Sequence, residues 1–173
     1  MLLCLVFHNH QPVGQLPWAF EDAWRDSYSP FLDVLESHPH VRVALHYTGP
    51  LLDWLQEHRP ETIHRIRDLV ARGQVEVLAG GFYEPILAIW PTADQSAQIT
   101  RLRDRVEQLF GVAPRGLWLA ERVWEPDLAH SIRACGIDYT FVDGTVFQLA
   151  GMGEEALFRP YTVGRDRNGI PSA

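Results

Sequence analysis

Three short clusters carry most of the residues able to do chemistry. They are His8-Asn9-His10-Gln11-Pro12, Gly80-Gly81-Phe82-Tyr83-Glu84-Pro85 and Trp118-Leu119-Ala120-Glu121-Arg122-Val123-Trp124-Glu125-Pro126. Two carboxylates among imidazoles and indoles, with no Gly-rich phosphate loop and no serine elbow, suit cleavage of glycosidic bonds. A retaining mechanism uses one carboxylate as nucleophile and a second carboxyl group, about 5–5.5 Å away, as acid/base. Glu84 could be that second group or could hydrogen-bond sugar hydroxyls. Trp18, Trp24, Trp90 and Trp124 fall in expected loops, where flat indole faces could pack on pyranose C–H faces.

The elements that must position these residues alternate along the chain. Apolar or β-rich runs predict strands over Leu2–Phe7, Val41–His46, Val75–Ala79, Gly116–Leu119 and Asp138–Val142. A long loop to about Tyr28 is expected after the first. Helical patterns cover Ser29–Ser37, Pro50–Glu57, Pro60–Arg72, Thr92–Leu109 and Pro126–Ala134. Pro60 suits a first helical turn, Thr92 to Gln95 reads as a capping box, and Gly73, Gly111 and Gly136 read as stops. Five β-runs with intervening helices specify an α/β protein with a parallel sheet, doubly wound or barrel. All strand C-termini of such a sheet open on one face, so the clusters after successive strands converge on one cleft. His46 and Asp143 also sit at strand ends.

Composition narrows the class. A chain of 173 residues is of single-domain size and below the roughly 250 usual for a whole β/α barrel. A net charge of −7 argues against nucleic acid or an anionic membrane as partner. Met1 to Phe7 lacks a basic flank and is too short for a signal or membrane segment, so a cytoplasmic location is expected. Cys4 and Cys135 are expected to be buried free thiols. His38, His40, His58, His64 and His130 lack motif context and read as surface or helix residues.

The three clusters, in this order and each at an expected strand end, resemble the first three motifs of glycoside hydrolase family 57. That family holds α-amylases, 4-α-glucanotransferases, branching enzymes, amylopullulanases and some α-galactosidases. The similarity extends to about Tyr161, and Ile86-Leu87-Ala88 with Pro91 resembles the glucanotransferase and amylase branch most. The resemblance implies an incomplete seven-stranded β/α barrel, with this chain carrying about the first five strands. Residues 1–173 would then be the N-terminal portion of a catalytic barrel, and 162–173 a poorly ordered tail.

The resemblance also implies roles. Glu121 would be the nucleophile of a retaining enzyme acting on α-1,4-glucosidic bonds through a glycosyl-enzyme intermediate. His8, His10, Glu84 and Trp118 would bind the sugar, with Arg122 and Trp124 as further substrate contacts. Arg122 could pair with Glu121 or belong to a structural ion pair. Asp143 could touch substrate or serve a turn, and Glu125 is expected to be a charge at a helix start. The substrate would be an α-glucan or maltooligosaccharide, with no cofactor and no metal.

The family's acid/base is an aspartate in a fourth motif that this sequence lacks; Asp143 and Asp166 stand in the wrong context. Such assistance contributes on the order of 10²–10⁴-fold. The chain alone is therefore expected to be impaired, and a complementing C-terminal segment is implied. Two alternatives come from other classes. His8 and His10 could hold a metal, with His46 as a third ligand, in a metal-dependent hydrolase or deacetylase. The chain could also be a non-catalytic α-glucan-binding fragment.

Overall fold

The expected β-runs become parallel strands in the computed structural model, which describes residues 3–165 and 171–172. Strands β1 (Val6–Asn9), β2 (Val43–Tyr47) and β3 (Val75–Leu78) pair in that order. β4 (Gly116–Leu117) and β5 (Tyr139–Thr140) form a second parallel pair, and a bridge from Ala79 to Leu117 joins the two sheets. Neighbours in space are thus neighbours in sequence, without the reversal of order that marks a doubly wound sheet. A concave face borders an open cavity of about 1090 Å³, lined by Leu5, Val43, Glu76, Tyr139 and Phe141 among others. Residues from the first, third and fifth strand regions share this one cavity, so the sheet curls.

The first strand lies further along the chain than the apolar run suggests. Met1 and Leu2 lie outside the described residues, Leu3 is 78% exposed, and Cys4 is exposed where burial was expected. Pairing with β2 begins at Val6 opposite Ala44, and the residues before it sit at the mouth of the cavity. Cys135 is buried as expected.

The long loop to Tyr28 is replaced, from Pro17 on, by helix. α1 (Pro17–Ala23) runs through a π-helical turn, Trp24–Tyr28, into α2 (Ser29–Ser37). Phe20, Trp24, Tyr28 and Leu32 recur every four residues and face the core, a helical period hidden by the aromatic and charged mixture. The Ser29 N–H reaches back to the Trp24 carbonyl. Pro30, which has no N–H to give, follows at once, so the wide turn falls where an α-helical bond could not continue.

α3 (Gly49–His58) and α4 (Pro60–Ala71) each begin with a proline in the first turn. Together with α2 and α5 (Thr92–Phe110) they cover β1–β3. Leu32, Leu45, Leu51, Leu52, Leu55, Ile66 and Leu102 are fully buried there. A second cluster joins Ala79, Ile99, Leu117 and Leu119 to Leu128 and Ile132 of α6 (Leu128–Ala134). The capping box at Thr92 does not form. Pro91 occupies the cap position, and the Gln95 amide donates to the carbonyls of Leu87 and Trp90 instead. Gly111 ends α5 in the left-handed conformation at φ 77°.

α7 (Gly144–Leu149) is capped by Asp143. The expected poorly ordered tail at 162–173 contains a short antiparallel ribbon of β6 (Gly164–Arg165) and β7 (Pro171–Ser172). Residues 166–170 and 173, Asp166 included, lie outside the described residues. No helix among the described residues is long and apolar enough to cross a membrane.

Leu45 is central to β2 and fully buried. Leu45→Ala is expected to lower the unfolding free energy by about 2–5 kcal/mol, whereas Val34→Ala at an exposed site should stay within about 0.5 kcal/mol. Urea denaturation of the two variants measures the contrast.

Candidate active site at the strand ends

The pairing register creates the site. His8 of β1 lies opposite His46 of β2, and His46 opposite Leu78 of β3. The loop after β1 is then stapled down residue by residue. Asn9 donates its amide to the His46 carbonyl at 3.1 Å. The Gln11 amide donates to the Tyr28 hydroxyl, which in turn donates to the His10 carbonyl, both at 3.2 Å. Thr48 Oγ1 accepts from the Gln11 N–H. Each residue between the two histidines and Pro12 thus aims the imidazoles.

The turn after β3 brings in Glu84. Gly81 accepts the Glu84 N–H at 2.9 Å, and Glu84 itself is left-handed at φ 56°. A side chain at Gly81 would meet the Pro85 ring, and one at Gly80 would meet His46 Nε2 at 2.5 Å. Only glycine admits this close approach. The Glu84 side chain is 11% exposed; its Oε1 lies 2.9 Å from His8 Nε2, and its Oε2 lies against His10 Nδ1.

Trp118, at the end of β4, lies flat against His8, with ring centroids 4.9 Å apart and planes within 11°. Its indole Nε1 is buried without a hydrogen-bond partner among the described residues. His8 Nδ1 lies 2.8 Å from His46 Nδ1. His46 is fully buried, and burial, with His8 and His10 adding, holds its pKa well below the usual imidazole value.

Four residues singled out from the sequence, His8, His10, Glu84 and Trp118, are therefore brought together. Glu121 is placed differently. It stands in a one-turn 3₁₀ segment, Ala120–Arg122, just past Trp118, exposed and left-handed at φ 52°. Arg122, left-handed at φ 53°, donates to Asp143 at 3.1 Å. Of its two expected partners, the structural ion pair is the one present. Asp143 is also committed to the Thr145 N–H and hydroxyl, which lowers its pKa together with Arg122. That makes it a turn residue. Glu125 precedes α6, and its carbonyl accepts the Leu128 N–H.

The loop tryptophans divide. Trp24 is helical, donates to Thr62 Oγ1 at 2.9 Å and lies under the Arg59 guanidinium, so it serves packing. Trp18 is helical but exposed. Trp124 is half-buried against the second core cluster and lines the concave cavity. Trp90 remains an exposed loop indole. His38, His40, His58, His64 and His130 are all exposed. His46 is the site residue that sequence reasoning left outside its main assignment; its position at the end of the second strand was the available signal.

His8, His10 and Glu84 also offer donor atoms within 4.8 Å of one another. Two imidazoles and a carboxylate are ligand types a divalent ion accepts, and Glu84 Oε2 is buried without a hydrogen-bond partner among the described residues.

A parallel sheet that gathers imidazoles, a carboxylate and an indole at its strand C-termini is an α/β architecture with its polar side chains converging on one face. Residues 4–170 match the model of "Glycosyl hydrolase family 57", and the chain belongs to that family. It is 48% identical over 154 residues to a 4-alpha-glucanotransferase of Thermococcus kodakarensis, covering 89% of this chain and 23% of that protein. It is 47% identical to an alpha-amylase of Pyrococcus furiosus, covering 89% of this chain and 24% of the relative. The crystal structure of 4-alpha-glucanotransferase from Thermococcus litoralis superposes with a TM-score of 0.89 at 43% identity, over 97% of this chain and 26% of that one. The chain thus spans about a quarter of the length of these relatives.

Glu121 has a left-handed backbone and no bonded partner for its side chain among the described residues. Glu121→Gly is therefore expected to stabilise the fold by about 1 kcal/mol, by relieving strain. Ala97→Gly, at an exposed position inside α5, should cost about 1 kcal/mol. Opposite shifts of the denaturation midpoint would establish that Glu121 is held in place against backbone preference.

Proposed function

We propose that this chain is the nucleophile-bearing part of a retaining α-glucan-active enzyme, a hydrolase or 4-α-glucanotransferase acting on α-1,4-glucosidic bonds, in an incomplete seven-stranded β/α barrel. The observation that carries this is the convergence of His8, His10, Glu84 and Trp118 at the ends of β1, β3 and β4, with Glu121 in the turn that follows Trp118 in the chain. Glu121 attacks the anomeric carbon, and the bond to the leaving oxygen breaks as that oxygen takes a proton. The glycosyl-enzyme ester is then released to water or to a sugar hydroxyl, which is the difference between hydrolysis and transfer.

His8, His10, Glu84 and Trp118 hold the sugar. Both Glu84 oxygens lie against imidazole nitrogens, which suits a carboxylate that stays ionised and accepts from sugar hydroxyls. Asp143 is committed to Arg122 and to capping α7. We therefore assign the general acid to a complementing C-terminal polypeptide. The broad apolar cavity on the concave face supports that assignment. Arg122 would contribute to the substrate rim through its ordered guanidinium, and Trp124 by bracing it. The exposed free Cys4 favours a reducing, cytoplasmic setting.

A second reading rests on the proximity of the three donor atoms of His8, His10 and Glu84. It makes the site a metal-dependent carbohydrate hydrolase or deacetylase. Stoichiometric zinc in the purified protein, measured by elemental analysis, would favour it.

The principal test mixes the chain with a polypeptide carrying the remaining length of the Thermococcus kodakarensis relative and follows maltooligosaccharide products. Turnover should appear in the mixture and fall at least on the order of 10³-fold with Glu121→Gln. Binding of maltooligosaccharide without turnover in the mixture, unchanged by Glu121→Gln, would leave a non-catalytic glucan-binding fragment.

A further inference from the structure

His46 is a buried titratable side chain to which the sugar-binding reading gives no task. It is 0% exposed. Its Nδ1 lies 2.8 Å from His8 Nδ1, while its Nε2 has no partner among the described residues. Gly80 closes the space beside Nε2, where an added carbon would sit 2.5 Å away. A fully buried ring whose one hydrogen-bonded side-chain partner is another imidazole is held neutral by desolvation, so it carries a single N–H.

That proton has two places to be. On Nε2 it would be an orphaned buried donor, which bears the full desolvation cost of an unmade bond. His8 would then have to donate from both ring nitrogens to keep both its contacts. On Nδ1 the proton is donated to His8 Nδ1. His8 keeps its own proton on Nε2, which lies 2.9 Å from Glu84 Oε1. Only a lone pair is left unpaired on His46 Nε2, and an under-used acceptor is tolerated better than an orphaned donor. His8 is thereby held on three sides, by His46 and Glu84 at its nitrogens and by the Trp118 face.

We propose that His46 is a positioning residue: its Nδ1–H fixes the tautomer and orientation of His8 and, through His8, the aim of the Glu84 carboxylate at the bound sugar. This deepens the glucan-binding reading of His8 and Glu84 and rests on it. His46 itself touches no substrate. It acts through the ring beside it.

Long-range proton–nitrogen correlation spectra of the imidazole rings in the ¹⁵N-labelled full chain read the tautomers without any sugar present. His46 should be protonated on Nδ1 and His8 on Nε2. His46→Asn offers an amide donor close to the place of Nδ1 and should leave the His8 spectrum unchanged. His46→Leu preserves bulk but removes the donor. It should let His8 populate both tautomers and weaken maltooligosaccharide binding about tenfold, the worth of one hydrogen bond. A wild-type His46 protonated on Nε2 overturns the proposal, and this reading needs no variant to fold. An unchanged His8 tautomer in a folded His46→Leu overturns it as well. Wild-type protein with the expected tautomers but no affinity for maltooligosaccharide removes the sugar-binding reading while the tautomer assignment stands, so the two failures are distinguishable.

Discussion

The parallel ladder between β1 and β2 is the constraint on which the site depends. Its register sets His8 opposite His46, and the side-chain period of a strand is two. A slip of one residue would turn both rings to the other face. Everything downstream inherits this alignment. The Asn9 amide reads the same register from the His46 carbonyl, and Thr48 closes on Gln11 just beyond the ladder. The imidazoles are therefore aimed by backbone hydrogen bonds buried beneath fully covered leucines, not by loop conformation alone.

The second support is strain kept locally and offset by the cores. The non-glycine residues with positive φ among the described ones are Glu84, Glu121 and Arg122, all in the two glutamate-bearing turns. A left-handed conformation costs a side-chain-bearing residue roughly 1–2 kcal/mol, so each turn persists because its surroundings hold it. For Glu84 the surroundings are two imidazoles, Gly80 and Gly81. For the turn at Glu121 they include the Arg122–Asp143 pair, itself anchored on α7. Strain concentrated at these two turns, with none recorded at a non-glycine residue elsewhere in the described chain, fits a functional demand on where the carboxylates point.

Much of this was legible in the residues. Helices starting at Pro60 and stopping at Gly111 follow from proline at a first turn and glycine in a left-handed cap, which are local steric facts. The polar clusters after apolar runs placed His8, His10, Glu84 and Trp118 at strand ends, and family membership accords with the motifs that carry them. The helix over Pro17–Ala23 was not legible, because its four-residue aromatic period is interrupted by charge and by a π turn. The Thr92 capping box failed because the Gln95 amide turns back to the Leu87 and Trp90 carbonyls of the short turn before the helix, a turn that the motif alone does not reveal.

By itself the sequence determined the element types, the α/β class, the family and the identity of the residues at the rim, since these rest on local sterics, hydrophobic period and motif spacing. Tertiary structure alone decided which of those residues meet. It gave Glu84 to the two histidines, Arg122 to Asp143, Trp24 to Thr62, and His46 to His8. The reason is geometric. Partners separated by dozens of residues are chosen by strand register and helix packing, and a burial that leaves the His46 ring one partner exists only once His8, Trp118 and the Gly80 turn pack around it.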